Sequence, residues 1–266
     1  MYAFTYHRAS GLRQASNMLE KLEDPKLLAG GQTLLPTMKL RLASPANIID
    51  LGAIEGLSEI ELRGRSLVIG AMTRHAEVAA SPVVQESLPA LAALAHMIGD
   101  PAVRHRGTIG GSVANNDPNA DYPAACLGLG ATIVTSKRRI EADDFFKGMF
   151  ETALEPNEII TKVIFPLSKK AAYEKFRNPA SRFALVGVFV SKRSSEIRVA
   201  VTGAGQQGVF RVPSFEEALK KRFSPKSLEG LTIPATNLNS DIHGSAEYRA
   251  HLVGVLARRA VAAALG

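Results

Sequence analysis

The sequence predicts an α+β protein in two domains, residues 1–166 and 167–266 of a 266-residue chain. Three observations lead there. As far as Phe165, short strand-like runs are mixed with helical stretches and punctuated by Gly and Pro. Pro166-Leu-Ser-Lys-Lys170 is then a polar break directly after a strand. Beyond it, three strand-like runs precede two helices, the order expected when helices cover one face of a sheet.

Taken in order, residues 2–6 predict a strand. Ser10 is placed to cap a helix whose apolar stripe, Leu12, Ala15, Met18, Leu19 and Leu22, has a helical period. A short strand at 26–29 is broken by Gly30-Gly31, and further strands are expected at 47–50, 56–62 and 66–69. Thr73 is placed to cap a helix, and another covers 88–97. A helix at 122–129 and strands at 131–135 and 159–165 complete the first domain. In the second, strands at 172–176, 184–191 and 196–202 lead to a helix opened by the capping box Ser214-Phe-Glu-Glu217. The last helix is Ala-rich and spans about 245–265.

Composition excludes several classes. The longest apolar runs, near 88–99 and 122–135, fall short of the roughly 18 residues a membrane helix needs. The first ten residues, MYAFTYHRAS, lack the apolar core of a signal peptide, so a cytoplasmic protein is expected. Cys126 is the one cysteine, which excludes an internal disulfide and a four-cysteine cluster or zinc site. Its apolar surroundings, AACLGLG, predict a buried inert thiol. The net charge of +7 calls for an anionic partner. Nucleic acid is disfavoured, because the basic residues are scattered and no stacking platform accompanies them. An acidic protein or a phosphate-bearing cofactor fits at least as well.

Two glycine-rich stretches carry the chemistry. In LLAGGQTLLP, from Leu27, the glycines bring bare backbone N–H groups to a turn where no Cβ obstructs a ligand. In RHRGTIGGSVANNDPNADYPA, from Arg104, Gly110-Gly111 lie between Thr108 and Ser112, and Asn115, Asn116, Asp117 and Asp121 follow. Those side chains suit ribose hydroxyls and ring edges. Either stretch alone reads as a tight turn; the two together suggest a cleft that closes on a dinucleotide. There is no P-loop, since the Gly-Lys-Ser/Thr ending is missing. Gly203-Ala-Gly205-Gln-Gln-Gly208 matches GxGxxG in letters only, because no helix opens inside it. The six histidines share no metal-ligand spacing.

The segments AGGQTLLPTMKLRLASPANIIDL, IGAMTRHAEV, IGDPAVRHRGTIGGSVANNDPNADYPAACLGLGA, NEIITKVIFP and AYEKFRNPASRFALVGV cover most of residues 1–190. In that order they closely resemble the FAD-binding medium subunits of molybdenum hydroxylases, the family of aerobic carbon monoxide dehydrogenase, xanthine dehydrogenase and aldehyde oxidoreductases. The resemblance implies a two-part FAD-binding domain of the vanillyl-alcohol-oxidase type, with subdomains of about 1–53 and 54–166, followed by a small α+β domain.

It also implies a set of FAD-binding residues. Ala29, Gly30, Gly31, Gln32 and Thr33 would supply backbone donors, flanked by Leu27, Leu28 and Leu34. Thr108, Gly111, Ser112 and Asn115 would line the phosphates, Gly107 and Ala114 belong to the same cofactor-binding stretch, and Asp121 would meet a polar edge of the cofactor. Ile98 and Val103 match apolar positions around it, Ile160 one beside the flavin ring, and Lys175 a lysine at the ring's pyrimidine edge. The family's molybdenum cofactor resides on a large subunit and its two [2Fe–2S] clusters on a small one, assembled as a dimer of heterotrimers. The implied function is electron transfer from those clusters through FAD to an external acceptor. The alternative is a nucleotide-binding protein of the same fold without redox function.

Overall fold

The computed structural model describes residues 1–266. The first layer is a parallel three-stranded sheet. It comprises β1 (Thr5–Arg8), α1 (Leu12–Lys21), β2 (Pro25–Leu28), α2 (Leu34–Lys39) and β3 (Asn47–Asp50), with β3 between the other two strands. The α1 stripe inferred from sequence forms a small core with Ala9, Ile49, Leu51 and Ile159. Gly11, not Ser10, precedes the helix. The Ser10 N–H and hydroxyl donate to Gln14 Oε1 at 2.7 and 3.0 Å, so the helix side chain reaches back to the serine.

The second layer is antiparallel. Its elements are β4 (Ile60–Arg63), β5 (Ser66–Gly70), α3 (His75–Ala80), α4 (Pro82–Ser87), α5 (Pro89–His96), α6 (Pro101–Arg106), α7 (Ile109–Asn115) and α8 (Tyr122–Leu129). Then come β6 (Thr132–Thr135), β7 (Arg139–Glu141), α9 (Ala142–Phe145), β8 (Phe146–Gly148), β9 (Glu151–Thr152) and β10 (Ile160–Pro166). The strand order is β4-β5-β10-β6-β7, with β8 and β9 paired apart. Every residue of α8 is buried, and an all-round apolar helix is expected to sit inside a core. Arg74 rather than Thr73 precedes α3, and the Thr73 hydroxyl is buried without a partner.

The third layer is an antiparallel meander of β11 (Lys170–Arg177), β12 (Ala184–Arg193), β13 (Glu196–Thr202) and β14 (Phe210–Arg211), followed by α10 (Pro213–Lys221) and α11 (Ala246–Ala263). Both faces of this sheet are covered. Val186, Val188, Val190, Val199 and Val201 pack with α10 and α11, while Tyr173, Phe189 and Ala200 join the core built around α5 and α8. Ser191 Oγ donates to Gly128 O at 2.6 Å, tying β12 to α8. The packing therefore runs without a gap through the polar break at 166–170.

α10 starts at Pro213, so Ser214 lies inside it and forms no side-chain cap. Glu216, the neighbour of the would-be box residue Glu217, turns inward, accepting from Val199 N at 3.0 Å and from Arg211 Nη2 at 2.7 Å. Ser245 does cap α11, accepting from Tyr248 N. The GxGxxG letters fall in the connection between antiparallel β13 and β14. No helix is long and apolar enough to cross a membrane.

Candidate functional site

The two glycine-rich stretches meet. The turn after β2 packs on the end of α6: a Cβ built on Gly30 would lie 2.2 Å from Arg106 O and 2.7 Å from Gly107 Cα. A Cβ on Gly111 would lie 3.7 Å from Ala29 Cβ. Gly31 has φ +72°, the left-handed region that favours glycine. The turn leaves its donors free. From Ala29 to Thr33, no backbone N–H donates to another group of the chain.

The second stretch is not a loop. Residues 109–115 form α7, capped by Thr108, whose Oγ1 accepts from Gly111 N at 3.2 Å. Ile109 N donates to Thr73 O at 3.0 Å, Gly110 N to Ala71 O at 2.8 Å and Ser112 N to Thr108 O at 3.1 Å. The N–H groups of residues 109–112 are thus already paired within the chain, which corrects the reading of this stretch as a turn. The glycine at 110 serves packing: a Cβ there would lie 2.5 Å from Ala71 Cβ. What α7 presents is its outer side. Ile109, Gly110 and Val113 are buried, whereas Gly111, Ser112 and Asn115 are half-buried and Ala114 is exposed.

Two other polar residues of the stretch are structural. Asn116, at φ 43°, ends α7, and its Nδ2 donates to Gly148 O at 2.8 Å and Glu151 O at 2.9 Å. Asp117 Oδ1 accepts from Asn119 N at 2.8 Å. Both side chains thus hold the local backbone in place.

Around this junction Gly107 is held tightly. Its carbonyl accepts from His75 N at 2.9 Å, and its N–H donates to Val103 O at 2.7 Å. His75 is buried against Tyr122, and burial, assisted by the Arg104 charge, pulls its imidazole down to about 4, so it is neutral at pH 7. Val103 packs on Gly99, and α6 is capped by Asp100, whose Oδ1 accepts from Val103 N at 2.8 Å. Ile98 is half-buried on the large core, and Ile160 is buried at the start of β10 in that same core. Leu27 packs toward α1. Leu28 ends β2, and Leu34 opens α2.

Asp121 and Lys175 come together. Lys175 Nζ donates to Asp121 Oδ2 at 2.9 Å and to Met97 O at 3.3 Å, while Tyr173 Oη donates to Asp121 Oδ1 at 2.5 Å. The Lys175 side chain is fully buried, although its backbone is partly exposed. Burial pushes the Asp121 carboxyl up, opposed by Lys175 and Tyr173. Tyr173 and Lys175, two residues apart on β11, both reach Asp121, and Tyr173 is a residue the sequence did not single out.

Residues 2–168 match the family described as the FAD binding domain in molybdopterin dehydrogenase. The chain belongs to that family. Residues 171–264 match the CO dehydrogenase flavoprotein C-terminal domain. The medium subunit of nicotine 6-hydroxylase from Paenarthrobacter nicotinovorans is 39% identical over 273 residues, covering 97% of this chain and 96% of the relative. The medium chain of carbon monoxide dehydrogenase from Hydrogenophaga pseudoflava is 36% identical over 277 residues, covering 98% and 96%. A solved carbon monoxide dehydrogenase from the same organism, lacking the Mo-pyranopterin moiety of its molybdenum cofactor, superposes with a TM-score of 0.87 at 35% identity, covering 99% of this chain and 98% of that one.

This is therefore an FAD-binding medium subunit of the molybdenum hydroxylase type, an oxidoreductase component. The residues fit the cofactor. A run of unpartnered N–H groups at 29–33 is what a diphosphate needs, and Gly30 lets that run approach α6 and α7 closely.

Proposed function

We propose that this chain passes electrons from [2Fe–2S] clusters of a small partner subunit to an external acceptor, within a cytoplasmic complex whose large subunit holds the molybdenum cofactor. The heterotrimer pairing into a dimer is part of the same reading. FAD supplies the one- and two-electron chemistry that such a relay requires. The observation that carries the proposal is the donor run at 29–33 packed on α6 and α7, in a chain with one cysteine. That thiol is buried, so the chain does not furnish the four ligands a cluster takes.

The chain's own residues would divide the work by chemistry. The N–H groups of Ala29, Gly30, Gly31, Gln32 and Thr33 face the diphosphate, with the Ser112 hydroxyl and Asn115 amide beside them. Gly107, Thr108, Gly111 and Ala114 shape the wall, and Leu27, Leu28 and Leu34 flank the donor turn. Ile98, Val103 and Ile160 offer apolar contact that keeps water from the ring, and Lys175 with Asp121 sets the local charge. The excess of basic over acidic residues, 32 against 25, suits docking to an acidic partner.

Purification of the tagged chain from its native host is the test. Two further chains should copurify, one with iron–sulfur absorbance and one carrying molybdenum, and the flavin should be reduced by substrate only in their presence. Direct reduction of the flavin by an aldehyde, purine or carbon monoxide in the isolated chain would overturn the proposal.

A further inference from the structure

Lys175 does not stand as a lone cation. Its Nζ lies 2.9 Å from Asp121 Oδ2, and both side chains are buried. The other carboxylate oxygen is taken by the Tyr173 hydroxyl at 2.5 Å. That hydroxyl is seated where residue 187 has no side chain: a Cβ on Gly187 would lie 2.2 Å from Tyr173 Oη. The Tyr173 ring also stacks on Phe189, with centroids 6.2 Å apart. The network spans three elements, since Tyr173 and Lys175 come from β11, Asp121 immediately precedes α8, and Met97 O follows α5.

We propose that Asp121 and Tyr173 are positioning residues that hold Lys175 as one half of a buried, charge-balanced pair, so that the flavin site is tuned by a fixed dipole and not by a net positive charge. This rests on the reading that places Lys175 beside the bound flavin. Asp121 is buried, and each of its carboxylate oxygens already accepts a hydrogen bond, one from Tyr173 and one from Lys175. Its influence on the flavin passes through the lysine. The remaining titratable groups that act on the carboxyl or adjoin it are Arg177 on β11 and Tyr122 and Cys126 on α8; Tyr122 and Cys126 are buried.

The arrangement has an asymmetric consequence. Replacing Asp121 with Asn leaves the lysine unbalanced, which favours the more negative, reduced flavin. Replacing Lys175 with Met strands a buried carboxyl that burial already raises, so the carboxyl takes up a proton and the site returns to neutrality. Removing the Tyr173 hydroxyl weakens the ionised form of Asp121 and acts in the same direction as Asp121→Asn, by less.

The experiment compares the affinities of the full chain for oxidised and for reduced FAD, in the wild type and in Asp121→Asn, Tyr173→Phe and Lys175→Met, with thermal melts alongside. Asp121→Asn should shift the ratio toward reduced FAD at least tenfold, equivalent to about 30 mV for a two-electron couple. Tyr173→Phe should shift it the same way by a smaller factor, and Lys175→Met should move it less than Asp121→Asn does. Should Asp121→Asn fail to fold, the near-isosteric Tyr173→Phe decides alone. Lower melting temperatures with an unchanged ratio would reduce the network to a structural clamp and overturn the proposal. Failure of the wild type to bind either form of FAD would instead strike at the underlying reading, and is visible before any variant is made.

Discussion

Gly30→Ala isolates the contact between the donor turn and the end of α6. The φ of Gly30 lies outside the left-handed region, so alanine is acceptable to the backbone and only the new methyl matters. That methyl would sit 2.2 Å from Arg106 O, where a carbon and a carbonyl oxygen keep about 3.3 Å or more. Neither side yields easily. The atoms met are main chain, and the adjoining Gly107 is held by His75 N and Val103 O at 2.9 and 2.7 Å. The turn must therefore retreat by roughly 1 Å, and overpacking of this kind costs about 1–3 kcal/mol. Expressed in FAD binding, that is about 5- to 150-fold weaker. Titration of FAD against the apoprotein, followed by flavin fluorescence, measures it. Gly11→Ala is the control, because a Cβ there meets nothing within 4 Å and φ is −165°. A Gly30→Ala chain that binds FAD within twofold of wild type would show that the close approach has no part in the site.

Two further outcomes concern the rest of the molecule. Burial alone would raise the Glu158 carboxyl, but hydrogen bonds from Arg138, Thr135 and Glu155 N overcome it and hold the group at about 2. The stability this contributes is complete above the ordinary value of 4.5 and is lost as pH falls from there toward 2. It amounts to at most on the order of 3 kcal/mol, reduced because Arg138 is half exposed. Glu158→Gln should flatten that limb of a melting-temperature-against-pH curve, and an unchanged limb would assign it to other carboxylates. Cys126 is buried and its thiol is pushed up by burial, so a thiol reagent should leave the native chain untouched and label it only on unfolding. Rapid labelling under native conditions would contradict this packing.

What the sequence determined by itself is local in character. The α1 stripe, the all-apolar α8 and the β13 run each follow from residue pattern within a short stretch, and the structure has them at those positions. The importance of Gly30-Gly31 was legible for the same reason, since glycines after a strand announce bare backbone. Pairing partners were not legible. Two adjacent glycines and a row of small polar residues around 108–117 resemble a loop, and only the packing of Ile109 and Val113, with Ala71 and Thr73 accepting the first N–H groups, makes a helix of 109–115. Lys175 reads as a solvated strand lysine until β11 is laid against α5 and α8. Tertiary structure alone decided that its charge would be buried opposite Asp121, because a buried ion needs a partner and that partner lies 54 residues away along the chain.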